Sequence, residues 1–196
     1  MNLSLNPKKV FRNQPAETDL HDVELRIIER CLLNERHAQR QLYDQYSGKV
    51  YRLMYRMVGP EQADDLTQQV FLCVFLKLGK FQGRSSFATW LFRVATNEAL
   101  QFLRRQQPEF RTSYLHERVV ETACAEAEFD QRDLLEWALS QLEADLRAIF
   151  LLREIDELSY FEIAMSLDIA EGTVASRLNR ARRCLREIIS PALDLV

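Results

Sequence analysis

Residues 159–185 read SYFEIAMSLDIAEGTVASRLNRARRCL, and this stretch decides the fold. Ser159 followed three residues later by Glu162 is a capping box, in which the two side chains satisfy free backbone N–H groups at a helix start. The helix it opens is predicted to end near Leu167 and Asp168. A second helix is predicted from about Glu171 to Ile189, with Pro191 after it. At about 100° per residue, Val174, Leu178, Ala181, Leu185 and Ile188 fall on one face of that second helix and must be covered. Ser176, Asn179, Arg180 and Arg183 fall roughly opposite. Two short helices, a tight turn and a longer basic helix make a helix-turn-helix pattern. Five arginines and no acid lie between residues 173 and 186, and such a face suits the major groove of a duplex. There Arg bonds guanine O6 and N7, and Asn bonds adenine N6 and N7. Arg177, Arg182 and Arg186 sit at the flanks, where phosphates pass, and Thr173 with the first-turn N–H groups holds another phosphate.

Upstream of this motif the 3.6-residue period recurs and strand-like alternation is hard to find, so the chain reads as all-α. Helices are predicted from near Asp19 or Asp22 to Asn34, with Val23, Ile27 and Cys31 on one side. The next runs from Leu42 to Met57, breaking if anywhere at Ser47-Gly48 and ended by Gly59-Pro60. Others run from about Ala63 to Leu78 and from Ser86 to Arg105. Residues 1–18 read as a loose tail. Residues 108–132 are acidic, without sustained period, and read as a flexible linker, with a short helix near 123–129 as an option. From Asp133 the period returns in Leu135, Leu139 and Leu142, then Ile149, Leu152 and Ile155. The expected architecture is two small helical domains, 19–107 and 133–196, joined by an acidic linker.

Charge follows the same division. The net charge of −3 conceals 11 basic against 5 acidic residues in 36–107, and 3 against 10 in 108–146. Two basic surfaces flanking an acidic middle make nucleic acid the first candidate partner. Other classes lose their evidence. Gly-rich phosphate loops, GxSxG and HExxH are missing. Cys31, Cys73, Cys124 and Cys184 lie far apart with no CxxC pair, and His21, His37 and His116 are scattered. Reduced cysteines packed as small apolar groups are therefore expected, with no metal and no cofactor; an enzyme of unfamiliar helical fold would lack a clustered set of His, Cys or carboxylates with matched spacing. Neither a signal peptide nor a membrane span is visible, so a cytoplasmic location is expected.

Two upstream faces carry candidate contacts. On the Ser86–Arg105 helix, Thr89, Arg93, Thr96, Asn97, Leu100 and Arg104 form one stripe with Trp90 at its edge. The loop before it contains Phe81, Arg84, Ser85 and Ser86, followed by Phe87. Aromatics beside cations suit single-stranded nucleic acid, by stacking on bases and holding the backbone. The competing expectation is that Phe81, Phe87 and Trp90 are ordinary core. On the Ala63–Leu78 helix, Asp65, Gln68, Gln69, Leu72 and Leu76 share a face suited to a partner protein.

Taken in order, these segments resemble the extracytoplasmic-function sigma factors of bacterial RNA polymerase. Asp64-Asp65-Leu66-Thr67-Gln68-Gln69-Val70-Phe71 is similar to the family's polymerase-docking motif. Phe81-Gln82-Gly83-Arg84-Ser85-Ser86-Phe87-Ala88-Thr89-Trp90-Leu91 with Ala95-Thr96-Asn97 is similar to its promoter-melting segment. Leu158–Ala164 with Glu171–Val174, Ser176–Leu178 and Arg180–Arg182 is similar to its helix-turn-helix. The resemblance implies a sigma factor that binds core polymerase at the clamp coiled coil and the flap. Asp64, Asp65, Gln68, Gln69 and Leu72 would dock. Phe81, Arg84, Ser85, Ser86, Phe87, Thr89, Trp90, Arg93, Asn97 and Arg104 would melt and hold the minus-ten element. Thr173, Ser176, Arg177, Asn179, Arg180, Arg182 and Arg183 would read the minus-thirty-five element as duplex. It also admits an anti-sigma protein as partner and a monomer when no partner is bound. Three positions depart from the pattern: Gln69 replaces a usual Glu, Ala175 a common Lys or Arg, and Gln101 a frequent Asp. The alternative is a stand-alone helix-turn-helix regulator that binds DNA without polymerase. It would need residues 20–107 as a dimerising or sensing domain, and their basic balance argues against that.

Overall fold

Gly59 and Pro60 set the first sharp boundary. Gly59 has φ of 91°, a conformation that costs a side-chain-bearing residue but not glycine. Pro60 follows at the first helical position, where its missing N–H is no loss. A computed structural model of the protein describes the backbone of residues 15–106 and 131–193, and the side chains of 23–106 and 134–190. The linker, most of the tail, the 123–129 segment, Cys124, His21 and His116 lie outside the described side chains.

All regular elements among the described residues are helical, as expected. They are α1 (Pro15–Leu32), α2 (Arg36–Val58), α3 (Pro60–Lys77), a short 3₁₀ turn (Leu78–Lys80), α4 (Phe87–Gln106), α5 (Gln131–Gln141), α6 (Ala144–Glu154), α7 (Tyr160–Leu167) and α8 (Glu171–Leu193). The chain divides into two units, Met1–Leu42 and Tyr43–Val196, with the boundary inside α2. In the first unit, Ile27, Ile28 and Cys31 are buried, whereas Val23, Leu32 and Leu33 are exposed. The expected Val23–Ile27–Cys31 stripe therefore loses Val23. Asn34, at φ 59°, turns the chain between α1 and α2, and Arg30 pairs with Glu35 at 2.8 Å.

The second unit is built around α4. Helix α3 packs on one side of it, α6 and α7 on another, and α8 closes over α6 and α7 while also touching α5. Its core contains Met54, Met57, Val70, Val74, Phe87, Leu91, Leu139, Ile149, Leu152, Ile163 and Leu178. Helix α2 runs unbroken through Ser47-Gly48. One helical glycine costs about 1 kcal/mol relative to alanine, an amount that packing of the surrounding apolar residues outweighs. Helix α8 likewise continues past Pro191 to Leu193.

The capping box forms as the spacing requires. The Ser159 hydroxyl accepts from the Glu162 N–H at 3.2 Å, and the Glu162 carboxylate accepts from the Ser159 N–H at 2.8 Å. Asp168 adopts φ 56°, a left-handed conformation that short polar side chains tolerate, and its N–H donates to the Ala164 carbonyl. That stops α7 and redirects the chain into α8, where Val174, Leu178, Ala181 and Leu185 are all buried. The helix-turn-helix is thus physically closed.

Candidate nucleic-acid interface

Burying those four residues turns Ser176, Asn179, Arg180 and Arg183 outward, where all are exposed. Thr173, Arg177 and Arg182 are half-buried at the margins. Three of the arginines have acidic neighbours that only folding brings near. Arg177 lies 3.8 Å from Asp145, Arg180 donates to Glu143 at 3.1 Å, and Arg182 donates from both Nε and Nη2 to Glu154. The bond to Glu154 holds the Arg182 guanidinium above its usual pKa. Exposed pairs of this kind contribute about 0–1 kcal/mol, so a phosphate can displace them. Arg183 and Asn179 have no such partner among the described residues.

The α4 stripe is built differently. Ser86 caps the helix, its hydroxyl accepting from the Thr89 N–H at 3.1 Å. The Thr89 hydroxyl donates to the Glu162 carboxylate of α7 at 2.9 Å and, with its one hydrogen so engaged, accepts from Ser86 at 2.8 Å. Thr89 is 3% exposed and Thr96 fully buried, the latter with a hydroxyl lacking any partner. Burial raises the Glu162 pKa, but the bonds from the Ser159 N–H, the Ser159 hydroxyl and Thr89 outweigh it, and the carboxyl sits below its usual value.

Arg84, Arg93, Asn97 and Arg104 are exposed, and Ser85 is half-buried, its hydroxyl donating to the Ser86 carbonyl. Phe81, Phe87 and Trp90 form one aromatic cluster, with centroids 5.6–5.7 Å apart. Phe81 and Trp90 keep partial exposure. Phe87 is fully buried and also meets Tyr46 edge-on at 5.3 Å. Phe87 therefore supports the loop from below instead of offering a face to a base, and Thr89 is engaged within the fold. For Phe87 this is the core expectation, realised against Tyr46, Phe81 and Trp90; Thr89 departs from the open stripe because α7 covers that side of α4.

On α3, Asp64, Asp65, Gln68 and Gln69 are all exposed, as are Leu72 at 66% and Leu76 at 85%. Ala63, Leu66, Thr67, Val70 and Phe71 are buried on the other side. Gln69 donates weakly, at 3.4 Å, to Glu98 of α4, which also pairs with Lys77 at 3.5 Å. Sequence reasoning assigned Glu98 no role; its signal was an acid in an otherwise neutral and basic helix. Glu162 was legible as a cap but not as the acceptor for Thr89.

Comparison with known proteins adds the family context. The family description Sigma-70 region 2 matches residues 42–109, and Sigma-70, region 4 matches residues 132–185. The ECF RNA polymerase sigma-E factor of Escherichia coli (strain K12) is 31% identical over 180 residues, covering 85% of this chain and 94% of the relative. The ECF RNA polymerase sigma factor SigW of Bacillus subtilis (strain 168) is 29% identical over 177 residues, 82% of this chain and 93% of the relative. Among solved structures, CnrH bound to the cytosolic domain of CnrY matches with TM-score 0.62 at 20% identity, over 84% of this chain and 96% of that one. The sigma factor RpoE of Bartonella quintana, solved with the anti-sigma factor NepR, matches with TM-score 0.61 at 24% identity, over 77% and 96%. At those identities the structural matches speak for the fold.

Proposed function

The chain belongs to the ECF RNA polymerase sigma factors, and on that premise we propose how its helices divide the work of promoter opening. Residues 19–107 act as the docking and melting domain, and residues 133–196 read the upstream element as duplex. The acidic stretch 108–132 connects them.

The single observation that carries this assignment is α8. Its buried Val174, Leu178, Ala181 and Leu185 leave Ser176, Asn179, Arg180 and Arg183 outward on one helix. A helix so presented enters a major groove about 12 Å wide with its polar residues toward the base edges. Asn179 and Arg180 read bases at the minus-thirty-five element. Arg183 lies on the same groove face, while Arg182, Arg177 and Thr173 hold phosphates, which fix register without reading sequence.

On α4, Arg93, Asn97 and Arg104 hold the unpaired minus-ten strand, with Phe81 and Trp90 as the stacking surface beside Arg84, Ser85 and Ser86. Phe87 and Thr89 keep that surface in place. On α3, Asp64, Asp65, Gln68, Gln69 and the exposed Leu72 dock on the clamp coiled coil of core polymerase. An apolar groove of about 470 Å³, lined by Leu135, Phe150, Leu185 and Ile189, supports a second contact at the flap. Polymerase supplies the chemistry, and the chain works beside it in the cytoplasm. No helix among the described residues is long and apolar enough to cross a membrane.

Transcription in vitro with purified core polymerase and a library of promoter fragments tests the reading. Transcripts that require the added chain are expected. Sequence-specific DNA binding by a chain that never associates with core would favour the stand-alone regulator instead.

A further inference from the structure

Glu98 is the one acidic residue of α4, and it is only 7% exposed. An acid buried there costs free energy unless other groups take the place of water around it. Helix α3 supplies them. Gln69 donates from Nε2 to one carboxylate oxygen at 3.4 Å, and the Lys77 ammonium lies 3.5 Å from the other. Burial pushes the Cys73 thiol up, and its bond to the same carboxylate and the Glu98 charge add to that, against the pull of Lys77. Positions 69, 73 and 77 are spaced four apart and so share one face of α3. One carboxylate of α4 thus gathers a row of α3 side chains.

That row borders the docking face. Asp64, Asp65, Gln68 and Leu72 are exposed on α3, and so are Gln69 and Lys77. What Gln69 shows a partner depends on which end of its amide faces α4. A primary amide has a donor end and an acceptor end, whereas an ionised carboxylate only accepts. With Nε2 toward Glu98, Oε1 is turned away from that carboxylate. Rotating the amide by half a turn would set Oε1 against a carboxylate oxygen, acceptor to acceptor, beside a group that water scarcely reaches. Even a long hydrogen bond therefore selects one orientation. Lys77 is drawn toward the other oxygen, so both donors of the row lean on α4. The outward side is left with the oxygens of Asp64, Asp65 and Gln69 around Leu72.

Resting on the docking assignment above, we propose that Glu98 is a positioning residue for polymerase binding: its carboxylate holds the Gln69 amide with Oε1 outward, so that position 69 offers an acceptor to an Arg or Lys of the polymerase. The amide then does what a carboxylate does at such a contact, without adding a third charge to Asp64 and Asp65. Glu98 acts through Gln69 and touches no partner itself, as its burial requires. The sign of the effect follows from the chemistry at position 98. An acceptor there favours binding. A donor there turns the amide over and sets Nε2 against the partner's donor. A group that does both leaves the two orientations mixed.

The test is a double-mutant cycle on the full-length chain. Affinity for purified core polymerase is measured at fixed salt for wild type, Glu98→Lys, Gln69→Ala and the double variant. Circular dichroism and thermal melting serve as folding checks. A hydrogen bond to a charged partner is worth about tenfold or more in affinity. Glu98→Lys is therefore expected to weaken core binding about tenfold in the wild-type background. In the Gln69→Ala background, where no amide remains to turn, the loss should be under about threefold and come from the charge change, which salt screens.

Equal losses in both backgrounds overturn the positioning role, since a bulk charge or structural effect acts whether or not Gln69 is present. Gln69→Ala that binds core as tightly as wild type, while Asp65→Arg binds less tightly, overturns it as well, because position 69 then makes no contact. If Asp65→Arg, Leu72→Ala and Gln69→Ala all bind core like wild type, the docking assignment on α3 fails instead. Should Glu98→Lys lose helicity, Glu98→Gln keeps the shape and carries the same comparison. With both amide orientations open, a loss of about twofold to threefold is then expected, confined to the background that retains Gln69.

Discussion

Helices α4 and α8 each carry a polar stripe with arginines, yet they use it differently. On α8 one face is packed and the opposite face is open, so polarity and exposure coincide. Helix α4 is packed by α3 on one side and by α6 and α7 on another. Part of its stripe is consequently interior: Thr89 and Thr96 are buried, and only Arg93, Asn97 and Arg104 face outward. The difference teaches that a polar helical stripe marks a binding surface only where no second layer covers it. Mutations should expose this contrast, with α4 substitutions read out in stability and α8 substitutions in recognition.

The largest effect is expected at Phe87, the most deeply packed of the aromatic trio. Phe87→Ala should cost about 3–5 kcal/mol in denaturant unfolding, the usual range for a buried phenylalanine. A loss below 1 kcal/mol with reduced promoter melting would return Phe87 to the base-stacking role.

Thr89→Val keeps the shape and removes the hydroxyl, leaving the Glu162 carboxylate without one of its donors. It should destabilise by about 1–3 kcal/mol, measured by thermal melting. Binding to a pre-opened bubble template should be unaffected in the fraction that remains folded.

On α8 the expectation reverses. Arg180→Ala should leave stability within about 0.5 kcal/mol and relax base preference at one upstream position by about 1–3 kcal/mol, as read by selection on randomised duplexes. Arg182→Ala should weaken binding to all sequences alike and reduce the salt slope by about one. Its pairing with Glu154 makes the loss smaller than for an unpaired cation. If Arg182→Ala shifts the preferred sequence and Arg180→Ala does not, the groove face of α8 is turned from the one assigned here.

A smaller effect concerns the turn between α6 and α7. Burial pushes the Asp156 carboxyl up to about 6 from 3.8, against the opposing pull of Arg52, Lys49 and Arg56 on α2. In the folded state it keeps a proton that the unfolded chain has already released. Its contribution is therefore full below about pH 4 and is lost as pH rises through 6. Asp156→Asn should flatten that slope and raise stability at pH 7 by about 1–2 kcal/mol, after discounting for the water that still reaches the group. The difference in melting temperature between wild type and variant from pH 4 to 7 checks the sign. Glu162 has the opposite sign, since its depressed pKa removes stability only as pH falls.

Most of the fold was legible in the residues themselves. Period, capping box and the Gly59-Pro60 stop placed the helices, and the apolar face of α8 was correct at Val174, Leu178, Ala181 and Leu185. These are local properties, set by 3.6-residue geometry and by backbone groups that only neighbouring residues satisfy. The order of the segments that resemble the family's docking, melting and helix-turn-helix motifs likewise pointed to the family on sequence alone.

What a wheel leaves open is which polar side a distant helix covers. That α7 seals Thr89, that Phe87 belongs to the core, that Val23 faces outward and that α2 passes Gly48 unbroken were all decided by packing. So were the acids beside the α8 arginines: Asp145 is 32 positions from Arg177 and Glu143 is 37 from Arg180. No local rule relates residues at that separation. Their meeting depends on how α6 and α8 stack, which burial of apolar surface drives, and the charges then pair where the stacking leaves them.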